Sequence, residues 1–182
     1  MSRLRPPLNS QDHLLGNPDA RIGLVEYGDY QCPHCGRAYY MVNSLVDALG
    51  EDLLFAFRNF PMSQVHPHAF RAAQAAEAAG LQGSYWKMHN LLFENQQFLE
   101  DEDLFHYAEL CRLDLGDFAR DLDSEPVTAK IRADFLSGAR SGVNGTPTFF
   151  VDGERYEGSW ELPGFLAYLT DRIQGSDLRE PR

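Results

Sequence analysis

The pattern of apolar and polar residues changes its period along the chain. Residues 21–30 form an apolar run rich in β-formers, which predicts a buried strand. From Pro33 the apolar residues recur at helical spacing until Gly50, a typical helix stop. Residues 52–61 predict a second strand, closed by Pro61. Strand, helix and strand in this order are typical of a parallel β-α-β unit.

The middle of the chain, from about residue 66 to residue 142, has a helical period throughout. Residues 67–80 are rich in alanine, the best helix former. Residues 84–95 and 101–113 predict two more helices, and the second of them opens with three acids, which suit a helix N-terminus. Two further helices are predicted after these, one of them with Pro126 in its first turn.

After Gly145 the period changes again. Residues 146–158 predict a β-hairpin with an Asp152-Gly153 turn, and residues 161–175 predict a closing amphipathic helix. The predicted fold is therefore α/β, with a βαβ half and a ββα half separated by an all-helical insertion. The predicted boundaries are an irregular N-terminal segment at 1–20, the two halves at 21–62 and 143–175, the insertion at 63–142, and a loose tail at 176–182.

Length and charge restrict the possible functions. The chain has 182 residues, enough to bury a core without covalent cross-links. Its net charge of −11 repels phosphate backbones and anionic lipid, so nucleic acid and membrane surfaces are poor partners. The chain contains no segment apolar enough for membrane insertion and no signal-like N-terminus, which predicts a cytoplasmic protein. If a signal had been trimmed from the sequence, the protein would instead be periplasmic or secreted.

Two of the three cysteines lie close together in the stretch YQCPHCGRAYY. Cys32 follows a predicted strand where a helix begins, and the free N–H groups and dipole of that helix favour a thiolate. Pro33 fits there because its missing N–H has no cost. His34 places a possible cation beside the sulfur, which would stabilise the reduced form alone and make the disulfide a better oxidant. Cys35 is one turn on, within reach of Cys32.

A redox couple is not the only chemistry that C-x-x-C serves. A zinc site needs four ligands, and the candidates are poorly spaced: Cys111 is far along the chain, and His66 and His68 are separated by one residue. Two buried small residues with no chemistry are the third possibility. A zinc-binding or partner-binding module therefore stays open beside the redox function. Cys111 itself is predicted to be a small core residue on a helix face.

The motif CPHC in this setting, followed downstream by GVNGTPTFFVDG, resembles the DsbA-like branch of the thioredoxin fold. The resemblance covers roughly residues 20–175, and this branch carries a helical insertion between its βαβ and ββα halves. It implies thiol–disulfide exchange on protein or peptide substrates. Neither a cofactor nor a metal is expected, because the dithiol itself carries two electrons.

The resemblance also implies roles for individual residues. Cys32 is the expected attacking cysteine and Cys35 the resolving one. Thr146-Pro147 corresponds to a cis-proline loop, which would face the cysteines and pair with an extended substrate segment. A trans proline that only starts an edge strand is the alternative. Glu26 corresponds to a buried acid able to accept a proton from Cys35. A strand glutamate that reaches solvent is the alternative.

A glutathione-dependent transferase or isomerase of a related branch is a rival function, although such proteins often replace one cysteine and this chain keeps both. Members of the DsbA-like branch are usually secreted or periplasmic, and similar domains also occur in cytosolic proteins and joined to transporters. Neither the direction of exchange nor the redox partner follows from the sequence.

Overall fold

The computed structural model describes residues 2–177. Five strands form one sheet in the order β1-β3-β2-β4-β5, and β2 and β3 are its parallel pair. The strands are β1 (His13–Gly16), β2 (Ile22–Gly28), β3 (Leu53–Asn59), β4 (Thr148–Val151) and β5 (Glu154–Arg155). The helices are α1 (Pro33–Leu49), α2 (Ala69–Leu81), α3 (Tyr85–Glu94), α4 (Asp101–Leu110), α5 (Leu115–Leu122), α6 (Glu125–Arg140) and α7 (Leu162–Asp177).

The predicted order of elements is confirmed. The unit β2-α1-β3 forms the first half, α2 to α6 form the insertion, and β4-β5-α7 form the second half. The turn between β4 and β5 is Asp152-Gly153, and both residues have positive φ, as a two-residue hairpin turn requires. The fold is thioredoxin-like, with the helical insertion in the expected place.

The central strand β2 is covered on both faces. Successive side chains of a strand point to opposite sides, so neighbouring residues of β2 enter two different cores. Leu24 and its parallel neighbour Phe55 belong to the larger core, which also holds the buried faces of α1, α7 and the insertion. Val25 and Ala56 face a second, smaller core on the other side, which is covered by Leu4 near the N-terminus. In the loop that follows β2, Tyr30 and Cys32 are buried in the larger core.

The prediction of an irregular segment at residues 1–20 is wrong in part. Residues His13–Gly16 form β1, which pairs antiparallel with β3. Arg3 forms a β-bridge with Glu154, and Leu4 is buried. Strand β1 has only four residues, so it shows too little alternation to be recognised without its neighbour. At the other end, residues 176–177 belong to α7, and the rest of the predicted loose tail lies outside the described residues.

Candidate active site

The two cysteines of the CPHC motif lie at the start of α1, after the short loop that follows β2. Cys32 is the N-cap of the helix and Pro33 is in its first turn. The Cys32 N–H donates to the carbonyl of Asp29 at 3.1 Å, and the Gly36 N–H donates to the Cys32 carbonyl at 3.0 Å. Both thiols are free, Cys32 being 4% exposed and Cys35 fully buried. The helix start therefore presents its unpaired donors to the first cysteine and covers the second.

The surroundings shift the pKa values of the two thiols in opposite directions. The pKa of Cys32 is lowered to about 5, first by a hydrogen bond from the Cys35 thiol and then by Thr146 and the backbone N–H groups of Cys35 and His34, against the opposing effect of burial. The pKa of Cys35 is raised well above its usual range, first by burial and then by its hydrogen bond to Cys32 and the charge of Glu26. At neutral pH the pair holds one thiolate and one thiol.

Glu26 lies on β2 beneath this pair. Its side chain is buried, and its Oε1 has no hydrogen-bond partner among residues 2–177. Burial, and after it the charge of Cys32, raises the pKa of this carboxyl to about 8. The alternative of a glutamate that reaches solvent is wrong, because strand β2 is enclosed on both faces. Glu26 is therefore a buried acid whose charge is felt by Cys35.

The loop before β4 comes next to the motif although 114 residues separate them. The Cys32 Sγ lies 3.5 Å from the carbonyl oxygen of Thr146, and the Thr146–Pro147 peptide bond is cis. The Thr146 hydroxyl lies 3.8 Å from the Sδ of Met62, which follows β3. The structure thus brings the carbonyl of Thr146, next to the cis peptide bond, to the side of the Cys32 sulfur.

His34 contributes to the site through two different groups. Its backbone N–H is one of the donors that lower the pKa of Cys32. Its ring is exposed, and Nδ1 accepts a hydrogen bond from the guanidinium of Arg37 at 2.8 Å. That guanidinium also lies over the ring of Trp160, at 5.6 Å from the centroid. The positive charge next to the His34 ring is therefore that of the Arg37 guanidinium.

Replacing His34 by alanine removes the ring and keeps the backbone N–H. We expect the pKa of Cys32 to rise and the reduction potential of the pair to become more negative, by about 30 mV for each pKa unit. A glutathione redox titration of wild type and His34→Ala checks this. An unchanged potential, or one shifted toward stronger oxidation, would show that the backbone carries the whole effect of residue 34.

Two polar residues that the sequence did not single out hold the loop before the motif. Asp29 is buried and accepts hydrogen bonds from the backbone N–H groups of Gln31 and Met62, both at 2.8 Å. It also pairs with His66 Nδ1 at 2.9 Å. From the insertion, Gln96 reaches the loop and donates to backbone carbonyls there. No periodic signal marks either residue, since most of their partners are backbone groups.

A cleft of about 300 Å³ opens beside Pro33, between the loop before α1 and the insertion. Its other lining residues are mostly polar: Gln31, His66, His68, Gln96, Gln97, Leu99 and Glu100. The cleft therefore lies between the first turn of α1 and mostly polar side chains that follow β3 and α3.

The remaining candidates lie away from this site. Cys111 is buried at the C-terminal end of α4, as predicted for a small core residue.

Within residues 2–177, no three His, Cys, Asp or Glu side chains are grouped in a way that could hold a metal ion. In the same part of the chain, no helix has the length and apolarity needed to cross a bilayer.

The chain is similar to known proteins in sequence and in fold. The family model described as thioredoxin matches residues 8–171. The chain is similar to a thioredoxin-like oxidoreductase from Silicibacter pomeroyi DSS-3, with 30% identity and a TM-score of 0.80 over 94% of this chain and 95% of that one. Wolbachia pipientis alpha-DsbA1 shares the fold at 21% identity, with a TM-score of 0.81 over 98% and 99% of the two chains.

The curated relatives are named as antiporters, unlike the solved structures. The chain is 39% identical over 171 residues to Na(+)/H(+) antiporter NhaA 1 of Mycobacterium sp. (strain KMS). A similar match, 41% identical over 169 residues, is to Na(+)/H(+) antiporter NhaA 1 of Salinispora arenicola (strain CNS-205). The matches cover 93% of this chain, but the chain spans only 28% and 26% of the length of these relatives.

Proposed function

This chain belongs to the thioredoxin family, and on that premise we propose that Cys32 and Cys35 form a redox dithiol that exchanges disulfides with protein or peptide substrates. The observation that carries the proposal is the geometry of the pair: Cys32 is the N-cap of α1 and Cys35 is fully buried, which shifts the two pKa values in opposite directions. Disulfide exchange needs one nucleophilic thiolate and one thiol held in reserve. The fold supports thiol–disulfide exchange in general, and this asymmetry supports the roles that we propose for the two cysteines.

In the direction that reduces a substrate, the Cys32 thiolate attacks one sulfur of the substrate disulfide. The substrate S–S bond breaks, a mixed disulfide forms, and the leaving sulfur departs as a thiolate that solvent protonates. Cys35 then gives its proton to the Glu26 carboxylate and attacks the Cys32 sulfur. The mixed disulfide breaks, so the substrate has gained two electrons and the Cys32–Cys35 pair has lost them. Oxidation of a substrate runs through the same steps in reverse.

Glu26 is suited to the second step. A carboxyl with a pKa of about 8 is partly ionised near neutral pH and is a far stronger base than an exposed glutamate. It lies close enough for its charge to affect Cys35, whose thiol must lose a proton before it can attack. Burial therefore raises the pKa of the Cys35 thiol and also raises the pKa of Glu26, which makes the Glu26 carboxylate a strong enough base to deprotonate Cys35.

We place the substrate segment next to the cysteines along the Thr146-Pro147 loop. The loop precedes β4 and lies beside the Cys32 sulfur. An extended chain that pairs with backbone groups of Thr146 brings its own sulfur to Cys32 without requiring a particular side chain. The substrate class is therefore an extended, cysteine-containing segment of a protein or peptide.

The alternatives have less support from the described residues. A zinc site needs ligands beyond the two cysteines, and residues 2–177 supply no such group. A glutathione-dependent transferase needs only one reactive thiol, whereas here a hydrogen bond from Cys35 is the largest cause of the low Cys32 pKa. The antiporter relatives match this chain over about a quarter of their length, and we propose that exchange is an activity of this domain by itself.

The pH dependence of alkylation tests the assignment. Reduced protein is treated with iodoacetamide at a series of pH values, and the modified sites are quantified by mass spectrometry. We expect Cys32 to react with a midpoint near pH 5, because its pKa is about 5, and Cys35 to stay unmodified at neutral pH. The Cys111→Ala variant is the control and should give the same profile. Faster alkylation of Cys35, or a Cys32 midpoint near that of a free cysteine, would contradict the roles.

A further inference from the structure

We propose that Gln96 is a positioning residue for the attacking cysteine, and that Gly36 provides the space it needs. Gln96 lies between α3 and α4, and Gly36 lies in the first turn of α1, directly after Cys35. The inference rests on the proposed exchange at Cys32 and extends it to the helical insertion, which supplies one side chain that holds the reactive loop in place.

The contacts of Gln96 are directed at the backbone of the motif. Its Nε2 donates to the carbonyl of Tyr30 at 2.8 Å and to the carbonyl of Cys32 at 2.9 Å. A side-chain amide nitrogen has two N–H groups, so these two bonds use its whole donor capacity. The Cys32 carbonyl also accepts from the Gly36 N–H, the first hydrogen bond of the helix. One amide therefore joins the end of the loop, at Tyr30, to the start of α1.

Gly36 has no conformational reason to be glycine. It lies inside α1 with ordinary helical geometry, where glycine is about 1 kcal/mol less favourable than alanine. A Cβ built on it would lie 2.1 Å from Gln96 Oε1 and 2.8 Å from Gln96 Cδ, and its three nearest atoms all belong to that side chain. The missing side chain is what lets the amide of Gln96 lie against the first turn.

Fixing the Cys32 carbonyl also fixes the peptide unit that leads into the helix. The groups that stabilise the Cys32 thiolate include the backbone N–H groups of His34 and Cys35, which lie on this turn. Their effect depends on where the sulfur stands relative to the helix start, since hydrogen bonds weaken steeply with distance and angle. Without Gln96, the loop loses two of its hydrogen bonds and shifts more readily away from those donors, so the reduced form loses part of its stabilisation.

The test is a double-mutant cycle on Gln96 and Gly36. Each variant is equilibrated with glutathione, in which the protein disulfide and two glutathione thiols give the protein dithiol and one glutathione disulfide. We expect Gln96→Ala and Gly36→Ala each to lower this equilibrium constant by roughly three- to tenfold, equivalent to about 15 to 30 mV. Gln96→Glu keeps the shape, loses the donor and adds a negative charge, so it should lower the constant at least as much as Gln96→Ala. Because both sites act through one contact, the double variant should equal the singles.

Two further readouts separate positioning from general destabilisation. The pKa of Cys32, followed by thiolate absorbance, should rise in the variants of Gln96 and Gly36. The unfolding temperature should fall by less in Gly36→Ala than in Gln96→Ala, because alanine favours the helix and offsets part of the lost contact. Gln97→Ala is the matched control, since Gln97 is exposed, adjacent in sequence and lines the same cleft. It should leave both the pKa and the equilibrium constant unchanged.

The outcomes distinguish this inference from the function on which it rests. If wild type exchanges with glutathione at Cys32 and Cys35 but Gln96→Ala and Gln96→Glu change neither quantity, or if Gly36→Ala adds to Gln96→Ala, the positioning role is wrong. If wild type does not exchange at all, the proposed function is wrong, and the pKa of Cys32 still tests Gln96. Should Gln96→Ala not fold, Gly36→Ala carries the same test.

Discussion

Replacing Cys32 by serine should lower the rate of disulfide exchange at pH 7 by at least about a thousandfold, because the nucleophile of a covalent mechanism is lost. The pKa of Cys32 is about 5, so nearly all of this cysteine is thiolate at pH 7. A serine hydroxyl in the same place stays protonated and forms no disulfide. The measurement is the rate of exchange with a peptide disulfide, followed in a single turnover.

Cys35→Ser should have a different defect. Cys32 keeps its thiolate and still attacks, but the resolving step is absent, so substrate accumulates on Cys32 as a mixed disulfide that mass spectrometry detects. Cys35 also supplies the largest contribution to the low Cys32 pKa, and serine retains a hydroxyl donor there. A mixed disulfide on Cys35, or a Cys32→Ser variant that keeps a tenth of the activity, would reverse or remove the assigned roles.

The matched control for both variants is Cys111→Ser. Cys111 is buried at the end of α4, and burial raises the pKa of its thiol. A buried, protonated thiol is a poor nucleophile, so its loss should leave exchange unchanged. If Cys111→Ser also abolishes exchange, a structural defect rather than the loss of the reactive dithiol would explain the effects.

The order of elements could be predicted from the sequence because each long element carries its own period. Residues 21–61 alternate between strand and helix signals that depend only on neighbouring residues. Strand β1 (His13–Gly16) has no such signal, because four residues show little alternation and its stability comes from pairing with β3. Its existence is a property of the assembled sheet.

The site also has features that depend on neighbouring residues and features that depend on the assembled fold. The CPHC motif and its helix start are local, so the sequence predicted the acidic first cysteine from the position alone. The burial of Glu26 could not be decided locally, since β2 is covered on both faces and inward and outward residues look alike. The approach of Thr146 to Cys32 joins residues far apart in the chain, and only the family resemblance suggested it.

No feature of the sequence predicted that Gln96 and Asp29 belong to the site. Each is a single polar residue outside the regular elements, and each binds backbone groups, which every residue carries. The one trace in the sequence is Gly36, a glycine inside a helix where alanine would be more favourable. Such a glycine indicates a close approach by another group, but it does not say which one.

The largest expected effect on stability is at Glu26. Replacing it by glutamine should stabilise the reduced protein at pH 7 by about 3 kcal/mol more than at pH 4. The carboxyl has an ordinary pKa of 4.5 and a folded pKa of about 8. Below pH 4.5 both states are neutral, so the buried acid has no ionisation cost. Between 4.5 and 8 the unfolded chain ionises and the folded one does not, which favours unfolding by about 1.4 kcal/mol per pH unit.

The measurement is the free energy of unfolding in denaturant at several pH values, for wild type and Glu26→Gln. Comparing pH 7 with pH 4 cancels any constant difference in packing between the two side chains. Glu51→Gln, at an exposed position, is the control and should show little difference between the two pH values. Because burial is the larger cause of the shift and the Cys32 charge the smaller, oxidising the cysteines should reduce the difference without removing it. If the difference vanishes in the oxidised protein, the thiolate charge and not burial dominates; if it is absent in both forms, Glu26 is in contact with water and is not the proton acceptor for Cys35.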